Sequence, residues 1–165
     1  MPAADIFQRR SKALSQAVIL YASIHHQNTL KLVRAVAERI HADTVDLLND
    51  AQPDLTGYSC VFLASGIYFN TLHRSLLDFI GRTAFDGKKV CILYTCGLRY
   101  RDYARPVARL LARQGARYAG NFGCRGFDTY GVLKKIGGIA KGHPNQADLD
   151  SATAFAAAVV GDCIP

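Results

Sequence analysis

The chain has 165 residues, of which 50% are hydrophobic, so it has the size and composition of one folded domain and is not disordered over most of its length. Its five cysteines show no CxxC or paired metal spacing, which argues against a disulfide framework, a metal site and an oxidising compartment. The formal net charge of +7 comes without a nucleic-acid recognition motif, and no apolar run approaches the roughly 20 residues of a membrane span. We therefore expect a cytoplasmic protein without a nucleic-acid partner.

The chain begins with a polar, basic segment, residues 1–15, which we expect to be a flexible N-terminal arm, and a single domain covers residues 16–165. The domain opens with the continuous apolar run Ala17–Ala22, which predicts a buried strand. A polar loop, Ser23–Thr29, follows the strand. From there an apolar stripe with helical spacing runs to about Ile40 and predicts the first helix.

Strands and helices alternate along the rest of the domain. Continuous apolar runs bounded by turn residues predict strands, and apolar positions three and four residues apart predict helices. The expected strands are Asp43–Asp46, Cys60–Ala64, Lys89–Tyr94 and about 117–122. The expected helices are about 72–80, 102–114 and 145–160, the last one opened by a capping-box pair, Asn145 and Asp148. This alternation predicts an α/β fold with a parallel sheet covered by helices on both faces.

The loop between the first strand and the first helix has the composition of an anion site. Backbone N–H groups at a helix start have no partner within the helix, and the helix dipole adds partial positive charge there. Ser23, Asn28 and Thr29 supply hydroxyl and amide groups that suit phosphate oxygens. The alternative is an ordinary strand-to-helix turn in which Asn28 is the N-cap.

Four segments, in order along the chain, resemble the flavodoxin family. They are SIHHQNT (Ser23–Thr29), SGIYFNTLHRSLLDFI (Ser65–Ile80), TCGLRY (Thr95–Tyr100) and GFDTYGVLKKIGGIAKGHPNQADL (Gly126–Leu149). The chain is similar to short flavodoxin-like proteins with a paired-histidine phosphate loop. The resemblance implies a flavodoxin-like, doubly wound, five-stranded parallel sheet of order 2-1-3-4-5. It also implies FMN as the cofactor, bound at the carboxyl ends of the strands beside the switch between strands 1 and 3.

The resemblance further implies which residues bind the flavin. At least one of His25 and His26 would hydrogen-bond the phosphate or an edge of the flavin, the alternative being a histidine that faces solvent. The rings of Tyr68 and Tyr100 would shield the isoalloxazine, the alternative being loop-to-core packing. The implied cofactor-binding residues are Ser23, His25, His26, Gln27, Asn28, Thr29, Ser65, Gly66, Ile67, Tyr68, Phe69, Thr95, Cys96, Gly97 and Tyr100. The resemblance implies no catalytic residue.

Two features depart from the family pattern. Gln27 stands where flavodoxins usually carry glycine, and its Cβ disfavours the positive φ that such a loop uses. Flavodoxins are typically acidic, whereas this chain carries a net charge of +7. The first departure bears on the affinity for phosphate, and the second on the identity of redox partners.

Two further groups of residues are candidates for function. Cys96 and Cys124 follow strands at the same edge of the sheet, and they are either a redox pair beside the flavin or incidental core residues. One predicted helix carries an arginine at every fourth position, either as a docking face for an acidic redox partner protein or as a solvated face. Those arginines are Arg101, Arg105, Arg109 and Arg113.

The function that these observations favour is FMN-dependent electron transfer between protein partners, by analogy with the family. One alternative is an enzyme, an FMN-dependent NAD(P)H oxidoreductase with a quinone-type acceptor. The other alternative is a binding or regulatory module of flavodoxin fold that holds no flavin. The visible spectrum of the protein with FMN, and then with NADH or NADPH, separates the three.

Overall fold

The computed structural model describes residues 16–50 and 52–161, so the expected N-terminal arm, residues 1–15, lies outside the described residues. The strands are β1 (Ala17–Ala22), β2 (Asp43–Asp46), β3 (Cys60–Tyr68), β4 (Thr71–Leu72), β5 (Lys89–Cys96) and β6 (Arg117–Arg125). The α-helices are α1 (Asn28–Ile40), α2 (Arg74–Arg82), α3 (Arg105–Arg113) and α4 (Gln146–Gly161), and a 3₁₀ helix spans Gly131–Ile136. Within this described part, no helix is long and apolar enough to cross a membrane.

Five strands form one parallel sheet in the order β2-β1-β3-β5-β6, which confirms the predicted order 2-1-3-4-5. Leu20 of β1 pairs with Val45 on one side and with Leu63 on the other. The sequence did not predict β4, which pairs antiparallel with the end of β3 and makes the sheet six-stranded. Because the long strands are parallel, the carboxyl ends of β1, β3, β5 and β6 meet at one edge.

Helices cover both faces of the sheet, as predicted. On one face Leu76 of α2 packs in the same core as Leu63 of β3. On the other face Val33 of α1 packs in the same core as Phe62 of β3. All four side chains are fully buried, and each such burial contributes about 1.5–3 kcal/mol. Neighbouring residues of a strand point to opposite faces, which is why β3 starts as an unbroken apolar run.

Three strands continue beyond their predicted ends. β3 passes Ala64 to reach Tyr68, β5 passes Tyr94 to reach Cys96, and β6 passes Phe122 to reach Arg125. Their backbones stay paired, for example Gly66 with Thr95 and Thr95 with Cys124. Ladder hydrogen bonds need only backbone groups, so pairing continues through residues such as Ser65 and Thr95, which are polar although they are buried. Parts of the predicted loops after strands 3, 4 and 5 are therefore strand.

Two helices begin later than predicted. Thr71–Leu72 pair with β3, and His73 then caps α2 by accepting a first-turn amide at 3.2 Å. α3 begins at Arg105, because the Asp102 carboxylate accepts the Ala104 amide at 2.9 Å in a turn that precedes the helix. Both differences arise where a polar side chain bonds to the backbone, which competes with helical pairing.

Candidate functional site

A cleft of about 370 Å³ opens at the carboxyl edge of the sheet. Its walls come from the segments at the ends of β1, β3, β5 and β6, which the parallel topology brings together. Small-molecule sites typically enclose about 300–1,000 Å³. In open α/β sheets, ligands bind outside the carboxyl ends of the strands where the strand order reverses, here between β1 and β3. The cleft is therefore the candidate binding site.

Most of the residues that the resemblance implied line this cleft. They are His25, Asn28, Thr29, Gly66, Ile67, Tyr68, Phe69, Thr95, Cys96, Gly97 and Tyr100. The other implied residues, Ser23, His26, Gln27 and Ser65, are not part of its lining. Ser65 is fully buried and accepts the His73 amide at 2.9 Å, because it belongs to β3 and not to a loop.

The start of α1 keeps free backbone donors. Ser23 Oγ accepts the Leu30 amide at 3.2 Å. The amides of Asn28 and Thr29 have no acceptor among the described residues. No acidic side chain lies in the first turn of α1, so the positive end of the helix dipole is not neutralised there. This helix start can therefore bind an anion.

Asn28 is not an N-cap, so that alternative is wrong. Gln27 occupies the cap position without a side-chain bond, and Asn28 Nδ2 instead donates to the Phe127 carbonyl at 2.8 Å in the loop after β6. Asn28 is 8% exposed, and its Oδ1 has no partner among the described residues. A buried acceptor without a donor costs about 1–3 kcal/mol, so the site suits a ligand with a hydroxyl or N–H group.

The phosphate-loop residues His26 and Gln27 both adopt the left-handed conformation, with φ of 53° and 55°. This conformation costs about 1–2 kcal/mol for residues other than glycine. His26 is held by two contacts: its Nε2 lies 2.8 Å from Thr129 Oγ1, and its ring lies 4.6 Å from that of Phe127. Gln27 thus has the left-handed backbone expected of glycine. The loop after β6 contacts the neighbouring residue, His26.

Tyr68 lies folded against the loop that follows β1. Its ring is 5.9 Å from that of His25 and 5.3 Å from that of His73. Burial raises the pKa of Tyr68, and hydrogen bonds from the Ile24 and His25 amides oppose the rise. The Tyr68 oxygen thus lies near the backbone of this loop, whereas the amides of Asn28 and Thr29 have no acceptor among the described residues.

Gly66 and Gly97 allow other side chains of the protein, Tyr68 and Asp128, to approach the backbone closely. A Cβ at Gly66 would lie 3.0 Å from Tyr68 Oη. A Cβ at Gly97 would lie 2.8 Å from Asp128 Cβ. Both distances are shorter than an ordinary van der Waals contact between heavy atoms. The two glycines are therefore required by the packing of the cleft walls.

A buried hydroxyl pair and a third glycine join the walls. Thr29 Oγ1 and Thr95 Oγ1 lie 2.9 Å apart, in residues that are 2% and 4% exposed. A Cβ at Gly126 would lie 2.8 Å from Asn28 Nδ2. The start of α1 is thus tied to the end of β5 by the threonines and to the end of β6 through Gly126.

The outer walls of the cleft are aromatic. The rings of Tyr100 and Tyr103 lie 5.8 Å apart, and those of Phe69 and Tyr130 lie 5.9 Å apart. Tyr100 donates to Asn70 Oδ1 at 2.7 Å. Phe69 is 85% exposed and Tyr130 is 65% exposed. Both pairs pack edge to face, and an exposed aromatic surface of this kind suits a flat, partly apolar ligand.

The sequence reasoning missed several lining residues. They are Asn70, Leu98, Tyr103, Gly126, Phe127, Asp128, Tyr130 and Leu133. Five of them lie after β6, in the segment that begins GFDTYG. The rule that selected the loops after the other strands selects this one as well, because β6 ends at the same edge.

The structure favours incidental core residues over a redox pair at Cys96 and Cys124. Cys96 Sγ donates to the Cys124 carbonyl at 3.6 Å, and the residues are 5% and 3% exposed. Burial raises the pKa of Cys96 to about 11 and that of Cys124 to about 12. Because the thiolate is the reactive form, both thiols are inert core groups near neutral pH.

The arginine row is shorter than predicted. Arg101 precedes α3, and its guanidinium carbon lies 5.9 Å from the centre of the Tyr103 ring, so its placement in the helix was wrong. Arg105, Arg109 and Arg113 are exposed on α3. None of these three makes an ion pair with a residue that the structure describes. They leave a cationic helix face.

Comparisons with known proteins agree with this architecture. The flavodoxin domain family model matches residues 13–135. An uncharacterized protein of Methanocaldococcus jannaschii is 34% identical over 148 residues, which are 88% of this chain and 98% of that protein. Oxidised flavodoxin 2 of Bacillus cereus has a TM-score of 0.67 at 14% identity, covering 88% of this chain and 99% of that one. General stress protein 14 of Treponema denticola, solved in complex with FMN, has a TM-score of 0.57 at 13% identity, covering 90% and 99%. The chain therefore belongs to the flavodoxin family.

Proposed function

We propose that the cleft binds FMN and that the protein carries electrons between redox partners. The observation that supports this best is the meeting of two features in one cleft: a helix start with free amides, and an aromatic wall. A phosphate group needs the first feature, and a flat heteroaromatic ring needs the second. The Treponema protein of the same fold was solved with FMN, which adds support.

The residues present fit this cofactor. The amides of Asn28 and Thr29 would hold the phosphate, and the unpartnered Asn28 Oδ1 would accept a hydroxyl of the ribityl chain. Tyr68 and Tyr100 would lie near the isoalloxazine and keep water from it. When bound, the isoalloxazine supplies the redox chemistry, and the protein supplies binding, orientation and electrostatics.

A carrier needs no acid or base from the protein, because the isoalloxazine supplies the redox chemistry when it is bound. The carrier is proposed over the nicotinamide-dependent oxidoreductase by analogy with the flavodoxin family.

We propose in addition that the partner is acidic and docks on the face of α3 formed by Arg105, Arg109 and Arg113. α3 follows directly on the segment that carries Tyr100 and Tyr103, so the Arg105 end of this face is the end nearest the cleft. Like charges four residues apart repel within a helix. Opposite charge on a partner offsets this repulsion and speeds encounter.

The proposed role predicts the kinetics of the reduced, FMN-loaded protein. Photoreduced holoprotein is expected to pass electrons to the anionic acceptor ferricyanide, and NADH alone is expected not to reduce it. The triple variant Arg105→Gln/Arg109→Gln/Arg113→Gln should react roughly three- to tenfold more slowly at low ionic strength, because steering of the anion is lost. The difference should vanish in about 0.5 M salt. Stopped-flow absorbance measures these rates.

The control is Arg34→Gln/Arg39→Gln, which removes two exposed arginines from α1 on the opposite face of the sheet. It is expected to react like the unaltered protein, and FMN affinity should be unchanged in both variants. Equal slowing in the triple and control variants would refute the docking face. Steady oxidation of NADH by the holoprotein would refute the carrier role in favour of the enzyme.

A further inference from the structure

The exposed apolar side chains of the protein gather at one end of the molecule. Every large hydrophobic side chain that is exposed in residues 16–50 and 52–161 lies beyond the carboxyl end of β1, β2, β3, β5 or β6. The most exposed are Phe69, Val132 and Ile136, at 85%, 74% and 70%. Because these five strands run parallel, their carboxyl ends share one edge. Exposed apolar side chains clustered in this way mark a binding surface.

The most exposed of these side chains lie together with two lysines. Tyr130 directly precedes the 3₁₀ helix, and its ring lies 5.9 Å from that of Phe69. None of the residues of this helix, Gly131–Ile136, is buried. Val132 and Ile136 lie about 8 Å apart along its axis. We call the following residues the cationic apolar patch: Phe69, Tyr130, Val132, Lys134, Lys135 and Ile136.

The positive charge of the patch is not neutralised. Lys134 and Lys135 make no ion pair with any residue that the structure describes. The sequence has no acidic residue between Asp128 and Asp148. Asp128 Oδ1 accepts a backbone amide of its own loop at 2.8 Å. Asp148 Oδ2 accepts the Asn145 amide at 2.8 Å in the capping box expected from the sequence. The patch therefore presents apolar side chains together with uncompensated charge.

We propose that this patch docks the protein on the surface of a membrane that contains anionic phospholipids. Phe69, Val132 and Ile136 enter the boundary between the lipid headgroups and the acyl chains, where the burial of apolar surface is favourable. Lys134 and Lys135 pair with the negatively charged headgroups. A segment that combines apolar and basic side chains in this way lies on a bilayer and does not cross it.

The chemistry of the patch favours a lipid surface over a protein partner. Interfaces between proteins are enriched in arginine and depleted in lysine, whereas the cations between Val132 and Ile136 are both lysines. A lysine can lay its apolar stem along the acyl boundary while its ammonium group reaches the phosphates. A second copy of this chain is disfavoured because it would bring two positive patches together.

Docking by this patch would bring the mouth of the cleft to the membrane, since Phe69 and Tyr130 line the cleft as well. The inference does not depend on which ligand the cleft holds. Val132, Lys134, Lys135 and Ile136 do not line the cleft, so they can be changed without altering its walls.

The first test is co-sedimentation of the full chain with lipid vesicles. Vesicles of equal parts phosphatidylglycerol and phosphatidylcholine are expected to bind the protein. Vesicles of phosphatidylcholine alone should bind it at least roughly tenfold more weakly, because they lack surface charge. Val132→Ser/Ile136→Ser should weaken binding roughly tenfold, since less apolar surface is buried. Lys134→Gln/Lys135→Gln should also weaken it roughly tenfold, and added salt should reduce this difference.

Two matched controls separate the patch from overall charge and apolarity. Arg34→Gln/Arg39→Gln removes the same charge from exposed positions of α1. Leu48→Ser removes an exposed leucine beside β2, which lies at the opposite edge of the sheet from β6. Both controls are expected to bind the anionic vesicles like the unaltered protein at physiological ionic strength.

A fluorescent reporter tests the contact itself. The sequence contains no tryptophan, so Ile136→Trp provides a single indole within the patch. Its emission is expected to shift to the blue when phosphatidylglycerol vesicles are added, because the indole leaves water for an apolar environment. The emission of Leu48→Trp, measured in the same way, should not shift.

The proposal is overturned if the anionic vesicles leave the protein in solution, if the lysine variant and its arginine control weaken binding equally, or if the emission of Ile136→Trp does not shift. Dimerisation without lipid that Val132→Ser/Ile136→Ser abolishes would identify a second copy as the occupant and would also overturn it. A protein that binds the vesicles but not FMN would refute the flavin proposal alone.

Discussion

Replacing Gly126 by alanine is expected to weaken FMN binding by roughly ten- to a hundredfold, which corresponds to about 1.4–2.7 kcal/mol. The new Cβ would lie 2.8 Å from Asn28 Nδ2 and 3.0 Å from Asn28 Cγ. Asn28 is 8% exposed, so its side chain cannot swing aside without disturbing the core. Overpacking of this kind typically costs about 1–3 kcal/mol. The displaced residue is the first of α1, and its amide is one of the proposed phosphate donors.

The measurement is a fluorescence titration of FMN, with urea unfolding as the check on stability. Gly81→Ala is the matched control, since a Cβ at Gly81 in α2 would meet nothing within 4 Å. That control should stabilise the protein by about 0.5–1 kcal/mol, the gain of alanine over glycine within a helix. FMN affinity should not change in Gly81→Ala. An undiminished affinity in Gly126→Ala would show that the position of Asn28 does not matter for binding.

Thr29→Val is expected to destabilise the protein by about 1–3 kcal/mol, because it leaves the buried hydroxyl of Thr95 without its partner. The two hydroxyl oxygens are 2.9 Å apart, and both residues are almost fully buried. Thr95→Val should cost a similar amount for the mirror-image reason. The double variant removes both hydroxyls and should lose less than the sum of the single losses, since no polar group is then stranded.

A double-mutant cycle measured by urea unfolding gives the coupling directly. Thr44→Val serves as the control because Thr44 is exposed on β2, where the change should stay within about 0.5 kcal/mol. Strict additivity of Thr29→Val and Thr95→Val would mean that the hydroxyl pair does not join α1 to β5.

The sheet could be predicted from the sequence because its strands are buried on both faces. Runs such as Cys60–Ala64 are apolar throughout, which is typical of the central strands of a parallel sheet. The ends of the strands could not be predicted in this way. Backbone pairing continues through Gly66 and Thr95, where the sequence is no longer apolar although Thr95 is buried. β4 is two residues long and too short for any periodicity to appear.

The resemblance implied cleft residues in the loops after β1, β3 and β5, and it implied none after β6, although ligands of such sheets lie beyond the carboxyl ends of the strands in general. The loops after β1, β3 and β5 were placed at the carboxyl edge, and they line the cleft. The segment after β6 was left without a role because its glycine-rich sequence predicts no element. Its contribution comes from distant contacts, such as Asn28 with Phe127 and His26 with Thr129. Contacts across about a hundred residues leave no local pattern in a sequence.

The left-handed backbone at Gln27 illustrates the same limit. Local propensity argues against a positive φ at a residue with a Cβ. The observed φ of 55° is maintained by a loop whose neighbouring residue, His26, is anchored on Thr129 and Phe127. Tertiary contacts thus override the local preference, and the loop after β1 adopts a left-handed backbone without glycine.

The central claim is that the cleft binds both the phosphate and the isoalloxazine ring of FMN. Calorimetric and fluorescence titration of the full chain with FMN, and in parallel with riboflavin, tests it most directly. FMN is expected to bind in one equivalent with a Kd of roughly 1 µM or tighter and with quenched fluorescence. Riboflavin, which lacks the phosphate, should bind roughly a hundredfold more weakly because the free amides at the start of α1 find no anion. The claim is contradicted if FMN gives no heat and no quenching. It is also contradicted if FMN and riboflavin bind with equal affinity.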